Sequence, residues 1–139
     1  MSPKRERHGF TLIEMLVVIV VIAVLAGLVG PLVFRNVGDA RVSAAKAQLE
    51  IFGLALDQYR LDNDYYPSTA QGLEALREPP TGDPPARNWR GPYLKKPVPL
   101  DPWGRPYVYR CPPDSDGYDL VSYGRDGKPG GTGEDADLR

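Results

Sequence analysis

Apolar residues dominate the start of the chain, and Met15 to Phe34 contains no charge at all. Counted from Phe10, the run has 25 residues. At ~1.5 Å per residue they make about 37 Å of helix, enough to cross a ~30 Å hydrocarbon core with some tilt. Gly30-Pro31 would ordinarily stop a helix, because proline lacks an amide hydrogen and its ring meets the preceding turn. The periodicity nevertheless resumes. Val42, Ala45, Leu49, Phe52, Leu56 and Tyr59 recur at alternating spacings of three and four, while Arg41, Lys46, Glu50, Asp57 and Arg60 lie off that stripe. The pattern predicts one long helix from Phe10 to Leu61, kinked or loosened near Gly30-Pro31, with two helices broken there as the alternative.

After Asn63-Asp64 the texture changes, and 23 of the 67 residues from Pro67 to Gly133 are Pro or Gly. Long regular elements are therefore excluded. Ser68 and Gln71 have capping-box spacing ahead of a short helix over Leu73 and Leu76, which Pro79-Pro80 terminates. Asp101-Pro102-Trp103-Gly104 reads as a tight turn. Tyr107 to Arg110 and Tyr118 to Tyr123 read as short strands joined by the Pro112 to Gly117 loop. The predicted class is α+β: a long N-terminal transmembrane and amphipathic helix packed on a small antiparallel sheet, with a Gly/Pro-rich C-terminal loop. Tyr65, Tyr66, Trp89 and Trp103 are expected to fill the small core. The predicted divisions are residues 1–9, 10–34 and 35–139.

Charge and composition narrow the function classes. There are 17 basic and 18 acidic side chains. With the first 34 residues removed, 14 and 16 remain, so no basic patch points to nucleic acid. His8 is the only histidine and Cys111 the only cysteine, so no Ser/His, Cys/His or zinc-ligating set can be assembled. No phosphate-cradling glycine loop precedes a Lys-Ser or Lys-Thr. An enzyme is not expected, and Cys111 reads as a small, partly buried residue.

Lys4, Arg5 and Arg7 against Glu6 give the first nine residues a net side-chain charge of +2, which keeps that flank cytoplasmic. A secretory signal peptide cut near Val24-Leu25-Ala26 is the competing reading, but the apolar run outlasts the usual h-region and contains Glu14. A carboxylate at the bilayer centre costs about 2.5–3.5 kcal/mol, less near the interface. Either Glu14 snorkels to the headgroups or it meets a positive partner, and a cut after Gly9 would create one at the Phe10 amino group.

His8-Gly9-Phe10-Thr11-Leu12-Ile13-Glu14 followed by the apolar run resembles the leader of type IV pilins and type II secretion pseudopilins. Leu56 to Pro67 (LDQYRLDNDYYP), Gln71-Gly72-Leu73 and Asp101-Pro102-Trp103-Gly104 are similar to the major pseudopilins of type II secretion, and the likeness covers essentially the whole chain. The resemblance implies cleavage between Gly9 and Phe10 by a prepilin peptidase, N-methylation of Phe10, and an assembly role for Glu14. It further implies a single-pass inner-membrane precursor with a periplasmic globular domain. That precursor polymerises as a helical homo-oligomer, with minor pseudopilins and an inner-membrane secretion platform as partners, to drive export of folded proteins across the outer membrane. The alternative of another class is a secreted calcium-binding carbohydrate or adhesion module behind a signal peptide.

The tail from Tyr123 to Arg139 is glycine-rich and holds Asp126, Glu134, Asp135 and Asp137. Such carboxylates repel one another unless a cation offsets them, and a hard divalent ion takes six to eight oxygens, main-chain carbonyls included. An EF-hand starting at Pro112 fails at both end positions, and the nonapeptide calcium repeat fits once, with Asp137 at its apolar position. Charge pattern alone leaves a solvated acidic tail open. The resemblance implies calcium, held by the carboxylates of Asp126, Asp135 and Asp137 with main-chain oxygens of Tyr123 and Lys128.

Overall fold

The computed structural model describes residues 9–113 and 115–139, without the side chains of residues 32–35. The basic leader with His8, and Asp114 in the joining loop, lie outside the described residues. The chain divides into two units, Met1–Val37 and Gly38–Arg139.

Helix α1 is Leu12–Asn63 and includes Pro31. It starts two residues later than predicted because Thr11 caps it: the Thr11 hydroxyl accepts a hydrogen bond from the Glu14 amide at 3.3 Å. It also ends two residues later. The Asn63 side chain donates to the Tyr59 carbonyl at 3.1 Å, and Asp64 follows with φ 71°. The single long helix predicted is the one formed, and the alternative of two helices broken at Gly30-Pro31 is not seen. Pro31 removes the amide that would bond Gly27, one lost bond in a helix that continues on both sides.

In the second unit, Ala45, Leu49, Phe52, Leu56 and Tyr59 are buried as the stripe predicted, with Ala55 beside them. Strands β1 (Val108–Arg110) and β2 (Asp119–Val121) pair antiparallel with Tyr109 opposite Leu120. Both are shorter than predicted. Beyond β2 the chain exchanges two backbone bonds of 2.9 Å between Ser122 and Leu138, so the buried Leu138 side chain closes the core from the C-terminus. Tyr65, Tyr66, Trp89 and Trp103 pack around this core, and Cys111 is buried and free.

Ser68 and Gln71 do form reciprocal bonds: the Ser68 amide donates to Gln71 Oε1 at 3.0 Å and the Gln71 amide to Ser68 Oγ at 3.3 Å. They brace the turn before the short 3-10 helix Leu73–Leu76, not that helix itself, whose cap is Gly72 at φ 61°. Asp101 to Gly104 is the tight turn expected, closed by a bond from the Gly104 amide to the Asp101 carbonyl at 2.9 Å.

All buried core side chains lie between Ala45 and Leu138, so the second unit holds a complete core of its own. Within it the Tyr59 hydroxyl is buried without a partner among the described residues. Burial, with Tyr65 and Tyr93 nearby, pushes its phenol up to about 12. Its folded-state value lies above the unfolded one, so this group favours the native state fully below pH ~10 and loses that contribution as pH rises towards 12. Tyr59→Phe removes no made hydrogen bond. Urea unfolding of residues 35–139 should change by less than ~1 kcal/mol at neutral pH and hold up better than wild type above pH 10. Phe52→Ala should cost about 3–5 kcal/mol in the same measurement.

Candidate functional site

Two regions carry the chemistry read from the sequence. The first is the head of α1. Gly9, Phe10 and Thr11 precede the helix, and Glu14 stands in its first turn, where a carboxylate also complements the helix dipole. Thr11 and Glu14 have capping-box spacing, a local role for the Thr11-x-x-Glu14 pair that the sequence reading overlooked. Phe10 is outside the helix, two residues ahead of Leu12. From Leu12 to Val29 the large apolar side chains are exposed all round, and α1 is long and apolar enough to cross a membrane.

The second region is the terminal loop, which is fixed from outside by the turn at Asp101. Asp101 is buried, yet its carboxylate is satisfied: Oδ1 accepts from the amides of Trp103 at 3.1 Å and Arg105 at 2.8 Å, and Oδ2 from the Ser122 hydroxyl at 2.7 Å. Ser122 Oγ in turn accepts from the Gly124 amide at 3.3 Å. Arg105 donates to the carbonyls of Gly124 and Arg125. Gly124 (φ 63°) and Gly131 (φ 92°) lie against the backbone of residues 134–136 so closely that neither could carry a Cβ.

Each acidic side chain has a partner, with Arg125 shared between Asp135 and Glu134. Asp135 receives Arg125 through two parallel bonds of 2.9 Å. Asp126 Oδ1 accepts from the Lys128 amide at 3.0 Å and Asp137 Oδ1 from the Gly130 amide at 2.9 Å. Glu134 also reaches towards α1 and Trp103. It accepts from Trp103 Nε1 at 3.1 Å, lies 3.9 Å from both Arg41 and Arg125, and packs on Gly38, where an added Cβ would sit 2.6 Å from Oε1. Among the described residues no three acids are gathered to hold a metal. The donor types nevertheless suit a hard cation: three carboxylates and the main-chain oxygens of Tyr123 and Lys128 belong to one tightly folded loop, and Arg125 already supplies a positive charge at Asp135.

The Arg125 hydrogen bonds hold the Asp135 carboxyl below its ordinary value, and the attraction between the two charges adds to this. A depressed folded-state value means a contribution present above the unfolded pKa of ~3.9 and lost as pH falls through the folded one. Arg125→Gln should therefore flatten the decline in melting temperature below pH ~4, and added salt should weaken the same effect in wild type.

The fold and its head define a class: a chain whose apolar N-terminal helix anchors it and whose small α+β unit packs on the remainder of that helix. The prokaryotic N-terminal methylation motif matches residues 4–30, and the family model for type II secretion system protein G matches residues 32–139. A type II secretion system core protein G of Pseudomonas aeruginosa is 50% identical over 136 residues, covering 97% of this chain and 95% of that relative. Its namesake in Vibrio cholerae is 43% identical over 139 residues, covering 99% and 94%. The crystal structure of the major pseudopilin from the type 2 secretion system of enterohaemorrhagic Escherichia coli matches with a TM-score of 0.61 at 39% identity, covering 74% of this chain and 88% of that one. The chain belongs to the type II secretion system protein G family.

Proposed function

We propose that the chain is the major subunit of a type II secretion pseudopilus, inserted in the inner membrane through α1 with its globular unit in the periplasm. The observation that carries this is the Gly9-Phe10 junction with Glu14, set at the head of α1, whose large apolar side chains from Leu12 to Val29 are exposed, and followed by a protein G unit. The secreted carbohydrate or adhesion module has no support from the family. The role is mechanical, not enzymatic. A prepilin peptidase cuts after Gly9 and methylates Phe10. The secretion platform, powered by a separate ATPase, then extracts successive subunits into a filament with minor pseudopilins, and its growth pushes folded proteins outward.

Glu14 supplies a negative charge inside the apolar flank, and an attraction between it and the Phe10 amino group of a neighbouring subunit is strong at low dielectric and weak in water. The mature membrane-extracted protein should have the mass of a chain starting at methylated Phe10. A start near Gly27 would reject the proposal in favour of a signal peptide. Glu14→Ala should insert in the membrane and fail to assemble, and normal filaments from that variant would remove its assigned role.

Calcium is proposed for the terminal loop on the family's account and on the donor chemistry there. Asp126, Asp135 and Asp137, with the Tyr123 and Lys128 carbonyls, would hold it, and Asp135 would release Arg125. When bound, the ion supplies a structural tie between the two ends of the loop. A ligand bound only by the folded state stabilises it by about 2.7 kcal/mol at a hundredfold excess over Kd. Residues 35–139 should thus melt higher in calcium, reversibly on chelation, and Asp126→Ala should abolish the gain. Equal shifts with magnesium, kept in Asp126→Ala, would show charge screening alone.

A further inference from the structure

The outer edge of β2 carries a peptide group without a strand partner. The amides of Cys111 and Ser122 are taken by Thr69 Oγ1 and the Leu138 carbonyl, both at 2.9 Å, so neither bonds across the β1–β2 ladder. The bonded pairs of that ladder are therefore Val108 with Val121 and Arg110 with Asp119. Alternation then turns the amide and carbonyl of Leu120 away from β1, to the edge where Ser122 exchanges its two bonds with Leu138. Among the described residues no backbone group takes up either atom of Leu120. Beside this edge, between β2 and α1, lies a groove of about 650 Å³. Leu49, Gly53 and Leu120 line it together with Lys46, Glu50 and Asp119.

The register defines the occupant. An extended segment that prolongs the antiparallel pairing begun at Leu138 sets successive residues opposite Leu120, Asp119 and Tyr118. Leu120 is buried in the core with Leu49, so the residue opposite it faces the groove and is best apolar. Asp119 points the other way. Its side chain is 48% exposed, and among the described residues its charged partner is Arg139, at 4.0 Å. A basic residue directly opposite it gains a cross-strand ion pair. A second copy of β2 is disfavoured, because Leu138 already covers Ser122. Pairing edge to edge would then centre on Asp119 and set two like charges opposite each other.

We propose that the β2 edge at Leu120 is a docking site for an extended segment of a partner protein, added as a third strand with an apolar residue opposite Leu120 and a basic one opposite Asp119. The proposal goes beyond the pseudopilus reading and stands without it. The test extends residues 35–139 after Arg139 with Val-Lys-Val-Thr, Val-Glu-Val-Thr or Gly-Ser-Gly-Ser, and follows hydrogen exchange of the Leu120 amide by NMR. The lysine tail should slow that exchange about tenfold or more, the glutamate tail clearly less, and the glycine-serine tail not at all. Asp119→Lys should reverse the order of the first two. Free acetyl-Val-Lys-Val-Thr-amide at millimolar concentration should shift the Leu120 amide resonance of the unextended unit saturably. Unchanged exchange with every tail would overturn the site, and equal slowing by the lysine and glutamate tails would overturn the basic occupant. Slowing by the tail without any shift from the free peptide would overturn docking of a separate partner. Protection that appears without a tail and grows with protein concentration would assign the edge to a second copy instead.

Discussion

Burial of one stripe of α1 is the interaction on which the globular unit depends, because the sheet is too small to organise a core by itself. Its two strands contribute three residues each. The loops must therefore condense directly on Leu49, Phe52, Leu56 and Tyr59, and they do so with aromatic side chains. Phe52 meets Tyr107 edge to face at 5.1 Å, and Tyr59 meets Tyr93 at 5.6 Å. Large rings cover a helix face with few residues, which suits a segment so rich in Pro and Gly. Their polar ends do a second task. Trp89 Nε1 donates to the Ala75 carbonyl at 2.9 Å and the buried Tyr109 hydroxyl to the Pro67 carbonyl at 2.7 Å. Side chains thus take up loop carbonyls that a larger sheet would have paired in its ladder.

The terminal loop follows from the same scarcity of regular structure. Its firm points are the Ser122–Leu138 bridge, the buried Leu138 side chain and, from outside the loop, Asp101, whose carboxylate ties its own turn to Ser122. The arginine–carboxylate pairs around it are partly exposed and contribute modestly. Glu134 is the exception in placement, since it reaches back to Trp103 and to Gly38 on α1, and so separates from the acids that remain in the loop. The loop is consequently positioned from one side by Asp101 and Arg105 and from the other by Glu134. Charge neutralisation at Asp126, Asp135 and Asp137 is a matter of local order within that frame.

Features whose cause is local were legible in the sequence. The core stripe, the Ser68/Gln71 box and the Asp101 to Gly104 turn each depend on spacing over a few residues. The leader did too, because Gly9, Phe10 and Glu14 sit within one turn or two of each other. Strand positions were found, and so was the Arg110 end of β1; the other ends were not, since Ser122 leaves the ladder to bridge Leu138. The role of Leu138 could not be read: one leucine among glycines and acids has no periodicity, and its burial depends on a partner 16 positions earlier. Nor could the division of labour among the acids. Asp101 resembles any turn aspartate until Ser122 is brought to it, and Glu134 resembles its neighbours until α1 passes beside it.

The core stripe alone accounts for the packing of the globular unit on α1. A helix serving only its own globular unit needs one apolar face, and polar residues elsewhere cost nothing. Here Ile51, Leu54 and Leu61 are exposed as well, on a surface shared with the charged residues Lys46, Glu50, Asp57, Arg60 and Asp62. Exposed isoleucine and leucine in water gain nothing from exposure, and a contiguous apolar patch on a soluble surface invites association. The stripe from Ala45 to Tyr59 is covered by the loops of its own unit, and that covering is complete in the single chain, whereas Ile51, Leu54 and Leu61 on the same helix are left to solvent.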